Sequence, residues 1–184
     1  LNADNASRTT SFPFWPATPS VCLTNNGSTV ARRILLSYSW VEVKISLIIS
    51  VNAAKLAAIG FCYGGKVVLD LARSGANLKA VTTFHANLSP KAPAEKGKLK
   101  AEILVLHGEL DSMVTLDDVA SFREEMHAAE VNHEVIIFED AKHGFSNPQA
   151  DERAKANNVD LGYNAEAERQ GLEAMYELLD KHLK

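Results

Sequence analysis

The sequence has few cysteines, no excess of positive charge and no long apolar run. It holds two cysteines, Cys22 and Cys62, and it has no basic start followed by an apolar stretch and a small-residue cleavage site. We therefore expect a protein of the reducing cytoplasm, not a disulfide-built secreted one. The net charge of −4 argues against nucleic acid and anionic membranes as partners. The longest apolar stretch, Val41–Val51, contains Glu42 and Lys44. It is far shorter than the roughly 20 residues that span a bilayer, so no membrane segment is predicted.

The chain divides near residue 50 into two parts of different character. Residues 1–50 are rich in Ser, Thr and Asn and show no helical periodicity. We expect this part to be poorly ordered, except near Val41–Ile49, where a strand is predicted. From Val51 onward, apolar runs of strand length alternate with amphipathic runs of helix length. This alternation is typical of a parallel sheet flanked by helices, and it predicts a single α/β domain over 51–184.

Four strands and three helices are predicted in the second part. The strands are nearly continuous in apolar residues, as expected of strands covered on both faces; they are Leu56–Phe61, Lys79–Phe84, Ile103–His107 and Glu134–Phe138. The predicted helices each have an apolar stripe; they are Gly64–Arg73, Thr115–Ala129 and Ala165–Leu183. Their ends are marked by Gly75 after the first helix, a capping box of Thr115 and Asp118 at the start of the second, and Asn164 as N-cap of the third. The fold class is therefore α/β, with a mainly parallel sheet of about four or five strands.

The segment GFCYGG, residues 60–65, lies between the first of these strands and the following helix. It fits the GxSxG nucleophile elbow, with cysteine in place of serine. Such a turn is sharp, so Gly60 and Gly64 have a steric reason to lack side chains. The turn also places Cys62 at a helix N-terminus, where the dipole and the free N–H groups favour a thiolate. The alternative is that Cys62 is a small, inert core residue.

An acid and a histidine follow the next strands in the chain. Asp111 comes after Ile103–His107 in LHGELD, and His143 comes after the following strand in AKHGF. Nucleophile, acid and histidine thus occur in the order used by α/β-hydrolases. Asp111 could instead be only a turn residue, and His143 a solvated loop residue. The other five histidines, at positions 85, 107, 127, 133 and 182, show no metal-ligand spacing, so no metal site is predicted.

Several segments together resemble the dienelactone hydrolase family: VNAAKLAAIGFCYGGKVVLDLA, FHANLSP, ILVLHGELDSMVT, HGFSNPQAD and LGYNAEAERQGLEAM. The resemblance runs from about Val51 to the end and implies a truncated α/β-hydrolase fold. It implies a small ester or lactone as substrate, no cofactor, and a thioester intermediate. By matching position, the triad would be Cys62, Asp111 and His143, with the Tyr63 backbone N–H as one oxyanion donor. Residues that could contact the substrate are His85, Phe145 and Asn147; for His85, as for His107, packing against the elbow is the favoured alternative.

The first part of the chain departs from the family pattern. About four strands and a helix normally precede the elbow, and a loop among them supplies the second oxyanion donor. No counterpart is assigned to that loop, and Arg33 and Glu42 are not matched to the family's upstream arginine and glutamate. Asn147 stands where some members have a second substrate arginine, so a carboxylated dienelactone is not the expected substrate.

The missing strands have a structural consequence. They would leave Leu56–Phe61 at an open sheet edge although it is apolar on both faces, which favours aggregation. We expect Val41–Ile49 to form a substitute strand there, or another chain to cover the edge by self-association. Two functions remain open at this point. One is a cysteine-dependent hydrolase, and the other is a non-catalytic remnant that binds a small molecule or a partner chain.

Overall fold

The computed structural model describes residues 20–24, 33–35, 52 and 54–184. In this part of the chain, six strands form one sheet and four helices pack around it. The strands are β1 (Ser20–Thr24), β2 (Arg33–Leu35), β3 (Ala57–Phe61), β4 (Ala80–Phe84), β5 (Glu102–Gly108) and β6 (His133–Phe138). The helices are α1 (Tyr63–Arg73), α2 (Leu116–Ala128), α3 (Ala150–Asn157) and α4 (Ala165–Leu183).

The predicted α/β architecture is confirmed. The strand order is β2-β1-β3-β4-β5-β6, and β3 to β6 run parallel to one another. The four predicted strands and three predicted helices are all present, with ends that differ by a residue or so. Helix α3 was not predicted. Its sequence, ADERAKAN, is polar and buries only Ala150, so it has no apolar stripe to reveal it.

The strand next to β3 is not the one expected. Val41–Ile49 lies outside the described residues, and β1 occupies the place beside β3, paired antiparallel in a register that sets Val21 opposite Gly60. Strand β2 then pairs with β1 and extends the sheet further. The β3 edge is therefore covered by a strand from the first part of the chain, as expected, but the strand is β1 and not Val41–Ile49. Self-association stays a prediction.

Two apolar cores cover the faces of the parallel strands. One lies beneath α1 and α2 and includes Val68, Phe122 and Met126; the other lies beneath α4 and includes Met175 and Leu178. Burying each such side chain stabilises the fold by about 1.5–3 kcal/mol. Helix α4 approaches the sheet closely at Gly171, where an added Cβ would come 3.0 Å from the Phe84 ring. These contacts fix the sheet whose carboxyl edge carries the polar residues of interest.

The helix ends follow the sequence signals. The Thr115 side chain accepts a hydrogen bond from the Asp118 N–H, and the Asp118 carboxylate accepts one from the Thr115 N–H, so the predicted capping box is confirmed. Asn164 caps α4 by accepting a hydrogen bond from the Ala167 N–H at 3.1 Å. Gly75 follows α1 with a φ of +91°, a conformation that favours glycine. The capping box begins α2 just after the loop that contains Asp111.

Candidate active site

Cys62 occupies a strained turn between β3 and α1. Its φ of 52° and ψ of −121° lie in a region that non-glycine residues rarely adopt, and such strain costs about 1–3 kcal/mol. The turn is held because the Cys62 N–H donates to the Phe84 carbonyl at 3.0 Å and the Gly65 N–H donates to the Cys62 carbonyl at 3.0 Å. A Cβ at Gly60 would lie 2.3 Å from the Gly64 carbonyl oxygen. The predicted steric need for glycine at position 60 is confirmed.

The three predicted triad residues form one hydrogen-bonded row. His143 Nε2 lies 3.2 Å from Cys62 Sγ, and His143 Nδ1 lies 2.7 Å from Asp111 Oδ2. The other carboxylate oxygen, Asp111 Oδ1, accepts hydrogen bonds from the Met113 and Val114 N–H groups at 2.9 and 3.0 Å. Asp111 and His143 are 4% and 5% exposed, whereas Cys62 is exposed to solvent. The row therefore runs from a buried acid to an accessible sulfur.

The charges along this row support one another. Burial raises the pKa of the Cys62 thiol, but the hydrogen bond and charge of His143 and the Tyr63 backbone N–H outweigh it, so the pKa is below its ordinary value. Burial lowers the pKa of His143, yet Asp111 and Cys62 raise it overall to about 9. Burial raises the pKa of Asp111, and the bonds from His143, Val114 and Met113 bring it below normal. These contacts thus stabilise the thiolate of Cys62 and the imidazolium of His143 relative to their uncharged forms.

The three residues expected to contact the substrate are all buried. His85 Nε2 lies 2.9 Å from the Ser146 hydroxyl, and the His85 ring packs against His143. Phe145 is fully buried. The Asn147 side-chain oxygen accepts a hydrogen bond from the Gln149 N–H at 3.0 Å. Their side chains therefore lie within or against the histidine loop, residues 141–147, and are shielded from solvent. Exposed large apolar side chains close in sequence to Cys62 and Asp111 are Tyr63, Leu110 and Met113.

The residues that hold the histidine loop against its neighbours were not predicted from the sequence. A Cβ at Gly108 would lie 2.4 Å from the Ala141 carbonyl oxygen, so glycine there allows the acid and histidine loops to touch. The Gly162 N–H donates to the His143 carbonyl at 3.1 Å. Asp160 accepts from Ser112 at 2.8 Å and pairs with Lys142 at 2.7 Å, which links the neighbours of Asp111 and His143. The glycine in LHGELD was a usable signal, whereas nothing local marks the other contacts.

In the described part of the chain, none of the helices is both long enough and apolar enough to cross a membrane. No group of three or more His, Cys, Asp or Glu side chains within it is arranged to hold a metal ion.

A parallel sheet with a strained nucleophile turn after one strand, and with acid and histidine loops after later strands, defines the α/β-hydrolase class. The model of the dienelactone hydrolase family matches residues 28–183, which begins earlier than the Val51 expected from the motifs. The chain belongs to the dienelactone hydrolase family.

Solved structures and curated relatives agree with this assignment. The chain is 37% identical to the solved structure m3DLH and 34% identical to a dienelactone hydrolase-like promiscuous phosphotriesterase from metagenomic libraries. In both cases the TM-score is 0.67, and the match covers 73% of this chain and 55% of the other. An uncharacterized protein of Caenorhabditis elegans is 35% identical over 131 residues, which are 70% of this chain and 81% of that protein. The bacterial relatives are covered over only 37% to 54% of their length, so the chain spans about half of most of the curated relatives that it matches.

Proposed function

We propose that residues 51–184 are the C-terminal part of a hydrolase domain that cleaves small esters or lactones, with Cys62 as nucleophile. The observation that carries the proposal is the row in which His143 bridges Cys62 Sγ and Asp111 Oδ2 at 3.2 and 2.7 Å. A nucleophile, a base and a residue that orients the base are the parts that acyl transfer through a covalent intermediate requires. A reducing compartment such as the cytoplasm suits a reactive thiolate.

The first half of the reaction forms a thioester. The Cys62 thiolate attacks the ester carbonyl carbon, a C–S bond forms, and the carbonyl electrons move onto oxygen. The Tyr63 backbone N–H, which already faces the sulfur and lowers its pKa, is the oxyanion donor on this side. The oxyanion then collapses and the C–O bond breaks. His143 Nε2–H protonates the departing alkoxide or enolate, which leaves a neutral imidazole hydrogen-bonded to Asp111.

The second half of the reaction restores the enzyme. Neutral His143 takes a proton from a water molecule as the water oxygen attacks the thioester carbonyl. The C–S bond breaks, the carboxylic acid leaves, and the sulfur returns as a thiolate beside the imidazolium. Asp111 keeps one tautomer and one orientation of the ring through both halves. Its two backbone N–H partners hold the carboxylate in place throughout.

The surroundings of the sulfur favour substrates without a carboxylate. Exposed large apolar side chains lie close in sequence to the triad residues, with Tyr63 beside Cys62 and Leu110 and Met113 within two positions of Asp111. The cation nearest in sequence, Lys142, is already paired with Asp160. At Asn147 the chain lacks the arginine with which some family members hold a carboxylated substrate. A neutral ester or lactone is therefore the proposed substrate. Because one solved neighbour is a promiscuous phosphotriesterase, a neutral phosphotriester is a reasonable second probe.

The test is turnover of p-nitrophenyl acetate by the purified chain. We expect activity that is abolished by Cys62→Ala and by treatment with iodoacetamide. Cys22→Ala is the matched control, since it removes the other cysteine of the chain and leaves the triad intact. Turnover that persists in Cys62→Ala would contradict the proposal.

The rival function is a non-catalytic binding module. It stays the second candidate because the chain spans about half of most curated relatives, whose whole-length activity does not pass to a part by similarity alone. A folded chain with no turnover above the Cys62→Ala background would support the binding module.

A further inference from the structure

His85 is held in an unusual conformation at the carboxyl end of β4. Its φ is 39°, a value that side-chain-bearing residues rarely adopt, and the residue is only 3% exposed. Its backbone N–H donates to the Leu106 carbonyl at 2.8 Å, which fixes the turn against β5. Strain of this kind persists only where the surroundings impose it. The fold therefore forces the His85 ring into one place.

That place is against the triad histidine. The centroids of the His85 and His143 rings are 5.1 Å apart, with an angle of 60° between the ring planes. Phe145 packs edge-on against His85 at 5.2 Å, and the Phe61 ring lies 6.3 Å away on the β3 side. Ser146 fixes the ring direction through the contact of 2.9 Å between its hydroxyl and His85 Nε2. His85 is thus immobilised on several sides and presents its ring to His143.

The His143 ring needs a further contact. Its two nitrogens are hydrogen-bonded to Cys62 and Asp111 and its Cγ is bonded to Cβ, but all three contacts lie near the plane of the ring, so they resist a swing out of that plane only weakly. Contact with His85 restricts that swing. A ring that swung out of alignment would lengthen the 3.2 Å contact to the sulfur, which is the contact that favours the thiolate.

His85 can pack against His143 without taking up the proton that His143 carries. Its Nδ1 has no hydrogen-bond partner among the described residues, so protonation would bury an N–H without an acceptor. Burial, helped by the neighbouring charge of His143, lowers the pKa of His85 to about 3. The other charged or titratable groups that act on it are Asp111 and His107. His85 is therefore neutral at the pH where His143 is charged.

We propose that His85 is a positioning residue whose neutral ring, fixed by Ser146, holds the His143 imidazole in line between Cys62 and Asp111. The proposal rests on the proposed function, because it assigns His85 a part in activating the same sulfur. It assigns no contact between His85 and the substrate.

The experiment measures the rate of Cys62 alkylation by iodoacetamide against pH, which reports the thiolate without requiring turnover. The variants are His85→Ala, which removes the ring, His85→Phe, which keeps a ring without the polar contact, and Ser146→Ala, which removes the anchor. Matched controls are His127→Ala and Ser121→Ala, both on the exposed face of α2. We expect His85→Ala to raise the apparent thiol pKa by about one unit and to slow alkylation at pH 6.5 by about tenfold.

The remaining variants and the kinetics separate positioning from other roles. We expect His85→Phe and Ser146→Ala to fall between His85→Ala and the parent, and kcat for the ester to fall more than KM rises. Unchanged alkylation profiles in all folded variants, or a change confined to KM, would overturn the inference. If His85→Ala does not fold, His85→Phe and Ser146→Ala decide the question. An ordinary thiol pKa in the parent itself would instead contradict the proposed function.

Discussion

The nucleophile elbow and the histidine loop meet at one sulfur, yet they are built in different ways. The elbow is specified mainly by its own residues: a Cβ at Gly60 would clash with Gly64, and Cys62 itself adopts the strained backbone conformation. Its one long-range requirement is at Gly65, where a Cβ would lie 2.3 Å from the Ala86 side chain. The histidine loop, residues 141–147, is held from outside by distant segments such as Gly108 and Gly162. The position of the proposed nucleophile is thus set mainly by a short motif, whereas the contacts proposed to activate it join distant parts of the chain.

The largest expected effect comes from removing the charge behind the histidine. Asp111→Asn keeps the size of the side chain but replaces the carboxylate that accepts from His143 at 2.7 Å. We expect ester turnover to fall by about 100- to 10,000-fold, because the imidazole loses its orientation and its support as an imidazolium. Steady-state kinetics with p-nitrophenyl acetate measure this, with Asp117→Asn on the exposed surface of α2 as control. A loss of less than tenfold would show that the acid is dispensable.

The next largest effect is expected from a substitution in the elbow instead of the histidine loop. Gly60→Ala would place a methyl group 2.3 Å from the Gly64 carbonyl oxygen, which is backbone and cannot move aside. We expect the free energy of unfolding to fall by about 1–3 kcal/mol, together with loss of turnover. Urea denaturation measures the first quantity. Gly162→Ala is the comparison, because the nearest atom to an added Cβ there belongs to the flexible Lys142 side chain, at 3.3 Å; equal destabilisation of the two variants would contradict the steric account.

The pH dependence of the free energy of unfolding tests whether Cys62 in the elbow and His143 in the histidine loop titrate together. His143 has a raised pKa, so its contribution is full below pH 6.5 and is lost as pH rises towards about 9. Cys62 has a lowered pKa, so its contribution is full above its ordinary pKa of 9.0 and is lost as pH falls through its folded value. Between pH 6.5 and 9.0 the unfolded chain carries one proton on these two residues, on the Cys62 sulfur. The folded protein also carries one, on His143. The two contributions to the pH dependence of stability therefore cancel in this range.

Cys62→Ala should remove that cancellation. Only the part of the histidine contribution that Asp111 supplies then remains, so we expect the free energy of unfolding of this variant to decline as pH rises above 6.5, by on the order of 1 kcal/mol relative to the parent. Because Cys62 also raises the pKa of His143, this decline should end below pH 9. Chemical denaturation at several pH values measures the difference, and Cys22→Ala serves as the comparison. Parallel curves for Cys62→Ala and the parent over this range would show that the thiol and the imidazole are not coupled.

The smallest expected effect concerns Asp160, whose surface contacts connect the loop that contains Asp111 with the histidine loop. Asp160→Asn weakens the link from Lys142 to Ser112, which is largely exposed to solvent. Water and salt screen such an exposed ion pair, so we expect kcat to fall by no more than about fivefold. Half-molar salt should have a similar effect on the parent and little further effect on the variant. Glu166→Gln, which weakens a separate surface pair with Arg169, is the control.

Much of this organisation could be predicted from the sequence, and the remainder has identifiable physical reasons for being missed. Strands β3 to β6 are continuous apolar runs, and the elbow has a motif of its own, so both were predictable. Helix α3 is polar and β1 lies in a segment without a periodic pattern, so neither has a local signal. Ser146 stands three residues after His143, but its contact with His85 joins residues 61 positions apart. Contacts of that kind are set by the packing of the whole sheet.

The most direct test of the central claim is to trap the acyl group on the sulfur. The chain would be mixed with p-nitrophenyl acetate, quenched in acid and analysed by mass spectrometry alongside Cys62→Ala and His143→Ala. We expect an acetyl group on Cys62 in the parent, with equimolar early release of p-nitrophenol, and much slower acetylation in His143→Ala. Release of p-nitrophenol without acetyl on Cys62, or equally fast acetylation without His143, would contradict it.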